Sequence, residues 1–204
     1  MKNFTYEETN KQEQYETYEW DNTWIDHAND ALANRVLYIG DSISCGVRRK
    51  ATEQTDGKIL FDGFGTSKAI DNPYFKDSIN LFCSQQKRRS SVIFNNGLHG
   101  WHLKDETEYR HYYEEMVKFL LIKFENTPVY IALTTHVENN KERAERVIAR
   151  NQIAKEIADR YDLVVIDLYT VSFGIADLLS TAGVHFVSEG YERLAEEIIR
   201  VISK

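Results

Sequence analysis

A serine directly follows an apolar run in the first quarter of the chain, in the segment Gly40-Asp41-Ser42-Ile43. Residues 35–39 before it are rich in branched and aromatic side chains and predict a β-strand. If a helix begins at Ser42, the unpaired backbone N–H groups of its first turn lie beside the hydroxyl. Such N–H groups stabilise the oxyanion that forms when a hydroxyl attacks a carbonyl carbon. Ser42 is therefore a candidate nucleophile, although Asp41 or Ser42 would also suit a plain helix N-cap.

A histidine near the C-terminus is the matching candidate for a general base. His185 precedes the final helical pattern, in the segment Gly183-Val184-His185-Phe186. A loop at that place can return the imidazole to the end of the first predicted strand, where it would take a proton from a serine hydroxyl. A single histidine is more often a surface residue, so this prediction depends on its combination with Ser42.

Polar side chains also cluster at the end of the third predicted strand. They are Asn95, Asn96, His99 and His102. Amides and imidazoles at this end of a strand favour a ligand-binding site, whereas Asn96-Gly97 alone would also form an ordinary turn. The spacing of His99 and His102 invites a metal interpretation, but a glycine lies between them and no cysteine or carboxylate pattern accompanies them. We therefore expect neither a metal ion nor another cofactor.

Five short apolar runs alternate with helical patterns over most of the chain. The predicted strands are 35–39, 58–61, 91–95, 129–133 and 163–167, and the predicted helices are about 73–86, 105–125, 141–160 and 188–203. This alternation predicts a five-stranded parallel sheet with helices on both faces, an α/β three-layer sandwich of flavodoxin-like strand order 2-1-3-4-5. Such sheets place their sites at the carboxyl ends of the strands, where Ser42 and the polar cluster lie.

The composition excludes several classes of protein. The 204 residues hold 25 basic and 32 acidic side chains, a net charge of −7, which argues against binding to a nucleic-acid backbone. Two cysteines do not make a disulfide framework. Apolar stretches are far shorter than the roughly 20 residues that span a bilayer, and the N-terminus has no apolar segment typical of a signal peptide. We expect a cytoplasmic protein with one main domain, residues 35–204.

The first 30 residues carry eight acidic side chains against two lysines, and therefore most of the net negative charge. The same segment contains six large rings: Phe4, Tyr6, Tyr15, Tyr18, Trp20 and Trp24. Packing of these rings can offset the entropy lost on ordering the segment. We therefore expect residues 1–34 to form an aromatic strap on the main domain or on a second subunit of a homodimer. A mobile leader is the alternative.

The order of these segments resembles the SGNH/GDSL hydrolase family from about residue 35 onward. The resemblance is carried by Gly40-Asp41-Ser42-Ile43, Phe64-Gly65-Thr66-Ser67, Gly97-Leu98-His99-Gly100, Ala182-Gly183-Val184-His185-Phe186 and Glu189-Gly190-Tyr191. Each motif is short, but together and in this order they are specific. The family implies a serine esterase that acts on small acyl groups, especially acetyl groups on a carbohydrate. Its partner would then be a small-molecule or oligosaccharide ester.

The resemblance also implies roles for individual residues. Ser42 would be the nucleophile and His185 the base, while the N–H groups of Ser42 and Gly65, rather than Gly63, would bind the oxyanion. His99 takes the place of the family's oxyanion asparagine, and Asn95 or Asn96 are the alternatives. Trp101 could stack on a sugar ring or simply pack, and Cys45 is interpreted as a small buried residue.

One position departs from the family pattern. The family has an aspartate three residues before the catalytic histidine, and this chain has Ala182 there. A backbone carbonyl or another acid, with Asp177 and Glu189 nearest in sequence, would then have to orient His185. The alternatives are a non-catalytic ligand-binding relative, or a deliberate replacement of aspartate by alanine in an otherwise intact motif. A nucleotide-binding flavodoxin-like protein is disfavoured, because the first turn lacks a glycine-rich phosphate loop and its lysine.

Overall fold

The computed structural model describes residues 14–86 and 88–203, so Phe4 and Tyr6 of the expected strap lie outside the described residues. The strands are β1 (Asp21–Trp24), β2 (Arg35–Gly40), β3 (Leu60–Thr66), β4 (Ser91–Phe94), β5 (Val129–Ala132) and β6 (Val164–Ile166). The helices are α1 (Ser42–Gln54), α2 (Phe75–Gln85), α3 (Glu106–Lys123), α4 (Lys141–Arg160), α5 (Leu168–Gly174) and α6 (Ser188–Ile202), with a short 3₁₀ turn at Ala176–Leu178.

The six strands form one sheet in the order β1-β3-β2-β4-β5-β6. In this spatial order, every pair of neighbours from β3 through β2, β4 and β5 to β6 is parallel, whereas β1 pairs with β3 in the antiparallel direction. The predicted α/β sandwich and its parallel order are therefore confirmed, with one additional strand. β1 was not predicted, because its four side chains are polar or aromatic and all exposed, and such residues show no apolar alternation.

Alternate residues of each strand bury on opposite faces of the sheet. In β2, Leu37 and Ile39 belong to the core cluster that contains α2 and α3, whereas Val36 and Tyr38 belong to the cluster that contains α1 and α6. This period of two, combined with apolar side chains on both faces, is what a parallel strand between two helix layers requires. The sheet therefore holds the carboxyl end of β2 rigidly between the layers, and this is where α1 begins.

The strap lies on the edge of its own sheet within the described residues. Ser67 N–H donates to the carbonyl of Trp20, and Trp20 N–H donates to Ser67 Oγ. The Asp21 carboxylate accepts hydrogen bonds from Lys68 and from the hydroxyl of Thr66. These contacts attach residues 20–24 along β3 and carry the preceding residues toward the carboxyl edge of the sheet. No helix in the described part of the chain is long and apolar enough to cross a membrane.

Candidate active site

The hydroxyl of Ser42 and the imidazole of His185 are in direct contact. Ser42 is the first residue of α1, and Asp41 caps the helix by accepting a hydrogen bond from Ile43 N–H at 2.9 Å. Nε2 of His185 lies 2.8 Å from Oγ of Ser42. A neutral imidazole with its proton on Nδ1 accepts the serine proton at Nε2 in this geometry. The pair therefore has the arrangement of a nucleophile and its general base.

The loop that carries His185 is fixed by backbone hydrogen bonds on both sides. Ser180 N–H donates to the carbonyl of His185 at 2.7 Å, and Glu138 N–H donates to the carbonyl of Gly183 at 2.8 Å. Gly183 has a φ of +71°, and a Cβ built on it would lie 2.7 Å from the Glu138 carbonyl. Glycine is therefore required at this turn both for its conformation and for the close approach of the neighbouring loop.

No acid supports the histidine within residues 14–86 and 88–203. His185 has no carboxylate oxygen within 4.0 Å of its ring nitrogens there; Asp177 is exposed, and Glu189 is exposed with Arg193 at 3.8 Å. Neither of the two acids considered as substitutes for the family aspartate reaches the imidazole. Ala182, at the family position, is itself exposed. The described residues therefore present a Ser–His dyad without a carboxylate within 4.0 Å of the imidazole nitrogens.

The backbone N–H of Ser42 is free to bind an oxyanion, but that of Gly65 is directed elsewhere. Ser42 N–H has no partner among the described residues, as expected at the first turn of a helix. Ladder bonds alternate along an antiparallel pair, so the bond from Ser67 N–H to Trp20 directs the Gly65 N–H toward Asn22 of β1. The donor expected from this motif thus faces the strap and not Ser42.

Gly65 is instead needed for the space it leaves. A Cβ on Gly65 would lie 2.4 Å from Sγ of Cys45 and 3.3 Å from the carbonyl of Asp41. The start of α1 therefore packs directly on the bare backbone of β3. A Cβ on Gly63, the alternative glycine, would likewise clash with the buried side chain of Arg48.

The two asparagines at the end of β4 are committed to the scaffold. Asn95 Nδ2 donates to the carbonyl of Ala132 at 2.9 Å and to Thr134 Oγ1 at 3.2 Å. Asn96 Nδ2 donates to the carbonyl of Lys68 at 3.0 Å, and both asparagines are buried. Asn95 uses both hydrogens of its amide in these contacts, and Asn96 uses one of its two.

His99 is the family-position candidate from this loop. It is half-buried, and the ring of Trp20 meets it edge-on with 6.2 Å between centroids. Burial raises the pKa of the Asp41 carboxyl, while the nearby His99 and His185 act in the opposite direction. Both imidazoles therefore lie near enough to the Asp41 carboxylate at the start of α1 to interact with its charge.

Solved structures with this architecture are known, although the sequence itself matches no family model and no curated protein. A lipase/acylhydrolase from Enterococcus faecalis superposes with a TM-score of 0.64 at 18% identity, covering 83% of this chain and 95% of that chain. A G-D-S-L family lipolytic protein from Veillonella parvula gives 0.64 at 21% identity, covering 84% of this chain and 100% of that chain. An acetylxylan esterase from Geobacillus stearothermophilus gives 0.61 at 16% identity, covering 84% and 94%.

The chain has the SGNH/GDSL hydrolase fold. The fold that the sequence resemblance implied is thus confirmed by the backbone comparison. The serine motif of this fold follows β2, the glycine motif ends β3, and the histidine motif precedes α6.

A buried arginine holds the third motif of this SGNH fold in place. Arg150 of α4 donates to the carbonyls of Gly97 at 3.0 Å, His99 at 2.7 Å and Gly100 at 2.7 Å. Its side chain is fully buried and lies over the ring of Tyr109. Arg150 was not among the residues predicted for the site, although its position three residues after Val147 and three before Ile153 places it on the apolar face of α4.

Three guanidinium groups pack near the ring of Trp101, which had been considered for sugar stacking or for packing. The guanidinium groups of Arg143, Arg146 and Arg150 lie 5.1, 5.4 and 4.8 Å from the centre of its ring. Arg146 also binds the backbone carbonyl of Trp101 at 2.8 Å. The ring therefore takes part in packing between α4 and the loop that carries His99.

Two candidate residues remain, His102 and Cys45. Nε2 of His102 lies 2.8 Å from a carboxylate oxygen of the buried Asp71, and the described residues contain no group of three or more side chains suited to a metal ion. Cys45 is half-buried, and burial raises the pKa of its thiol. A thiol of raised pKa is a poor nucleophile, in agreement with the interpretation of Cys45 as a packing residue.

Proposed function

We propose that this protein is a serine ester hydrolase of the EC 3.1.1 class. The observation that carries the proposal is the 2.8 Å contact between Ser42 Oγ and His185 Nε2 at the carboxyl edge of a parallel sheet. The fold adds support, because lipase/acylhydrolases and acetylxylan esterases are among the solved structures it resembles. A serine hydroxyl at a helix N-terminus with a histidine in contact is the arrangement that nucleophilic acyl transfer requires.

The reaction proceeds by double displacement in this proposal. Ser42 Oγ attacks the ester carbonyl while His185 Nε2 takes the hydroxyl proton, and the alcohol leaves with that proton. Water then attacks the acyl-serine while His185 accepts its proton, and His185 returns that proton to Ser42 Oγ as the carboxylic acid leaves. The oxyanion of each tetrahedral intermediate is bound by the Ser42 N–H and by a ring N–H of His99.

The missing acid limits the rate in this mechanism. A carboxylate beside the base fixes its tautomer and stabilises the imidazolium, and disabling that group in a related triad lowers kcat by about 10⁴. With Ala182 in its place, His185 depends on its loop alone for orientation. We therefore infer slow turnover by a Ser–His dyad. A non-catalytic ligand-binding protein of the same fold is the second candidate, and the absent acid is the observation that favours it.

A small acyl group, acetyl above all, on a carbohydrate is the substrate we propose. The acetylxylan esterase among the structures of similar fold supports this class. His185 is exposed, so a bulky leaving alcohol such as a sugar can approach it from solvent.

Labelling and hydrolysis together test the proposal. We expect the protein to release p-nitrophenol from p-nitrophenyl acetate, and Ser42→Ala to abolish the release. Ser84→Ala, at an exposed serine near the carboxyl end of α2, should leave it unchanged. An organophosphonate should attach to the peptide that contains Ser42. Absence of the label, with no turnover in the protein or in its Ala182→Asp variant, would favour the non-catalytic candidate.

A further inference from the structure

A groove runs between the strap and α1, the helix that begins at Ser42. It has a volume of about 850 Å³, and β1 and Asp26 of the strap form one wall. The facing wall is formed by Cys45, Arg48, Arg49, Thr52 and Glu53 of α1. We propose that this groove binds a neutral oligosaccharide chain whose ester-bearing sugar lies at Ser42. The inference rests on the proposed esterase function, and it gives the carbohydrate part of the substrate a place on the molecule.

The groove follows the same face of α1 as the nucleophile. Ser42, Cys45, Arg49 and Thr52 are three or four residues apart, so their side chains form one stripe along the helix. The groove reaches Glu53, which lies about 12 Å beyond Cys45 along the helix axis. A chain bound there starts within about one helical turn of Ser42 and extends over more than a single sugar ring.

Trp24 lies in this groove with its ring exposed. It is 55% exposed, although it belongs to a strand. The rings of Trp20 and Trp101 contact other side chains, whereas no aromatic ring or cation packs on Trp24 in the part of the chain that the structure describes. An open indole is a suitable surface for the C–H face of a sugar ring, because both are flat and apolar there. Trp24 therefore supplies a stacking platform in the groove.

The rest of the lining favours a polar, uncharged ligand. The carboxylate of Asp21 lies 2.7 Å from Lys68, and that of Glu53 lies 3.0 Å from Arg49, so these charges are compensated within the protein. Asn22, Thr23 and Thr52 add amide and hydroxyl groups. Sugar hydroxyls can bond to such side chains, whereas a fatty acyl chain would bury them without partners. The lining therefore favours a carbohydrate over a lipid.

A buried arginine joins the two walls of the groove. Arg48 is buried, and its Nη2 donates to Oδ1 of Asn22 at 2.6 Å. Its guanidinium group lies over Gly63 of β3, where a side chain would occupy the same space. The Asp26 N–H further ties the strap to the carboxylate of Asp62 at 2.8 Å. Because both walls are already held together, little ordering of the protein opposes binding.

The dependence of the rate on sugar-chain length tests this groove. We expect the kcat/KM of the protein for acetylated xylotetraose to exceed that for acetylated xylose by about tenfold. Trp24→Ala should reduce this preference about three- to tenfold, as expected for loss of one stacked ring, and Trp24→Tyr should keep most of it. A displaced strap would slow both substrates alike, so the ratio reports the groove. Phe173→Ala removes a ring that is 62% exposed on α5, outside the groove, and should leave the ratio unchanged.

A binding measurement makes the test independent of turnover. Xylotetraose without acetyl groups, titrated into the Ser42→Ala protein, should shift the indole N–H signal of Trp24 in NMR spectra and leave that of Trp101 in place. A Trp24 signal that does not move, or equal length preferences in the parent and Trp24→Ala, would overturn the inference.

Two other outcomes separate the inference from the proposed function. A preference for p-nitrophenyl octanoate over p-nitrophenyl acetate that Trp24→Ala removes would show that the groove holds an acyl chain, and would overturn the inference. Binding at Trp24 by a protein that hydrolyses no ester, even as the Ala182→Asp variant, would instead overturn the proposed function and support the groove as a carbohydrate site.

Discussion

Nε2 of His185 lies 2.8 Å from Oγ of Ser42, although 143 residues of chain separate them. Two local devices produce this contact: the Asp41 cap starts α1 at Ser42, and the turn at Gly183 directs the next loop residues back to the sheet. Neither device supplies the acid that usually completes such a pair. A carboxylate introduced at Ala182 therefore tests directly whether the dyad lacks only its acid.

Ala182→Asp should raise the esterase rate. A carboxylate three residues before His185 would hold Nδ1–H and stabilise the imidazolium, and comparable groups contribute up to about 10⁴ in kcat. We expect at least about a 100-fold gain in kcat for p-nitrophenyl acetate. Ala182→Asn, which has the same shape without the charge, should gain much less. A stable Ala182→Asp protein with unchanged kcat would show that the loop does not place residue 182 beside the imidazole.

Gly183→Ala should remove activity and lower stability. The φ of +71° is strained for alanine, and its Cβ would lie 2.7 Å from the Glu138 carbonyl. We expect a loss of about 2 kcal/mol in the free energy of unfolding, with displacement of His185. Gly57→Ala separates the two causes, since Gly57 has a φ of +70° and a Cβ added there would have no atom within 4 Å. It should show a smaller loss of stability and unchanged kcat; equal effects of the two variants would contradict the argument.

The sheet was predictable from the sequence because its signals are local. Apolar strands buried on both faces and helices with regular apolar spacing define the parallel order without reference to distant contacts. β1 gave no such signal, because an exposed edge strand is stabilised by its pairing with β3 and not by its own side chains. The end of β3 was likewise missed, since Asp62, Gly63 and Gly65 are unlike strand residues until β1 and α1 cover them.

The site was predictable only in part. Ser42 and His185 stand in short motifs directly beside strands and helices, so their meeting follows from the topology. The direction of the Gly65 N–H and the hydrogen bond from Gly100 N–H to the Glu16 carboxylate both depend on how the strap packs on the main domain. Neither a motif nor a periodicity in the sequence predicts that packing. Arg150 could have been predicted from the sequence. Its position on the apolar face of α4 indicates a buried side chain, and a buried guanidinium group needs hydrogen-bond or ion-pair partners.

Arg150→Met should destabilise the protein and disorder the His99 loop. Three carbonyls, those of Gly97, His99 and Gly100, would lose their donor, and each buried unsatisfied carbonyl costs on the order of 1 kcal/mol or more. We expect a loss of about 3 kcal/mol in urea unfolding and a strong fall in kcat. Arg160→Met, on the same helix but exposed with Glu114, should cost less than about 1 kcal/mol. Equal losses for the two arginines would contradict the proposed support.

Gly65→Ala should be damaging for reasons of space, because the backbone N–H is retained. The new Cβ would lie 2.4 Å from Cys45 Sγ, so we expect a loss of about 1 to 3 kcal/mol in thermal unfolding and a lower kcat. Cys45→Ala removes the sulfur, and the double variant should recover most of both losses. If the double variant is as impaired as Gly65→Ala alone, the contact with Cys45 is not the cause.

The contribution of Glu16 to stability should depend on pH. The folded pKa of its carboxyl lies below the ordinary value of 4.5, so the folded state binds fewer protons than the unfolded state as pH falls through this range. The stabilisation is therefore complete above the ordinary value and is lost as pH falls through the folded one. Urea unfolding of the parent and Glu16→Gln should differ most at about pH 7 and converge at about pH 3. A difference that stays constant across this range would mean that the carboxylate charge contributes nothing to docking of the strap.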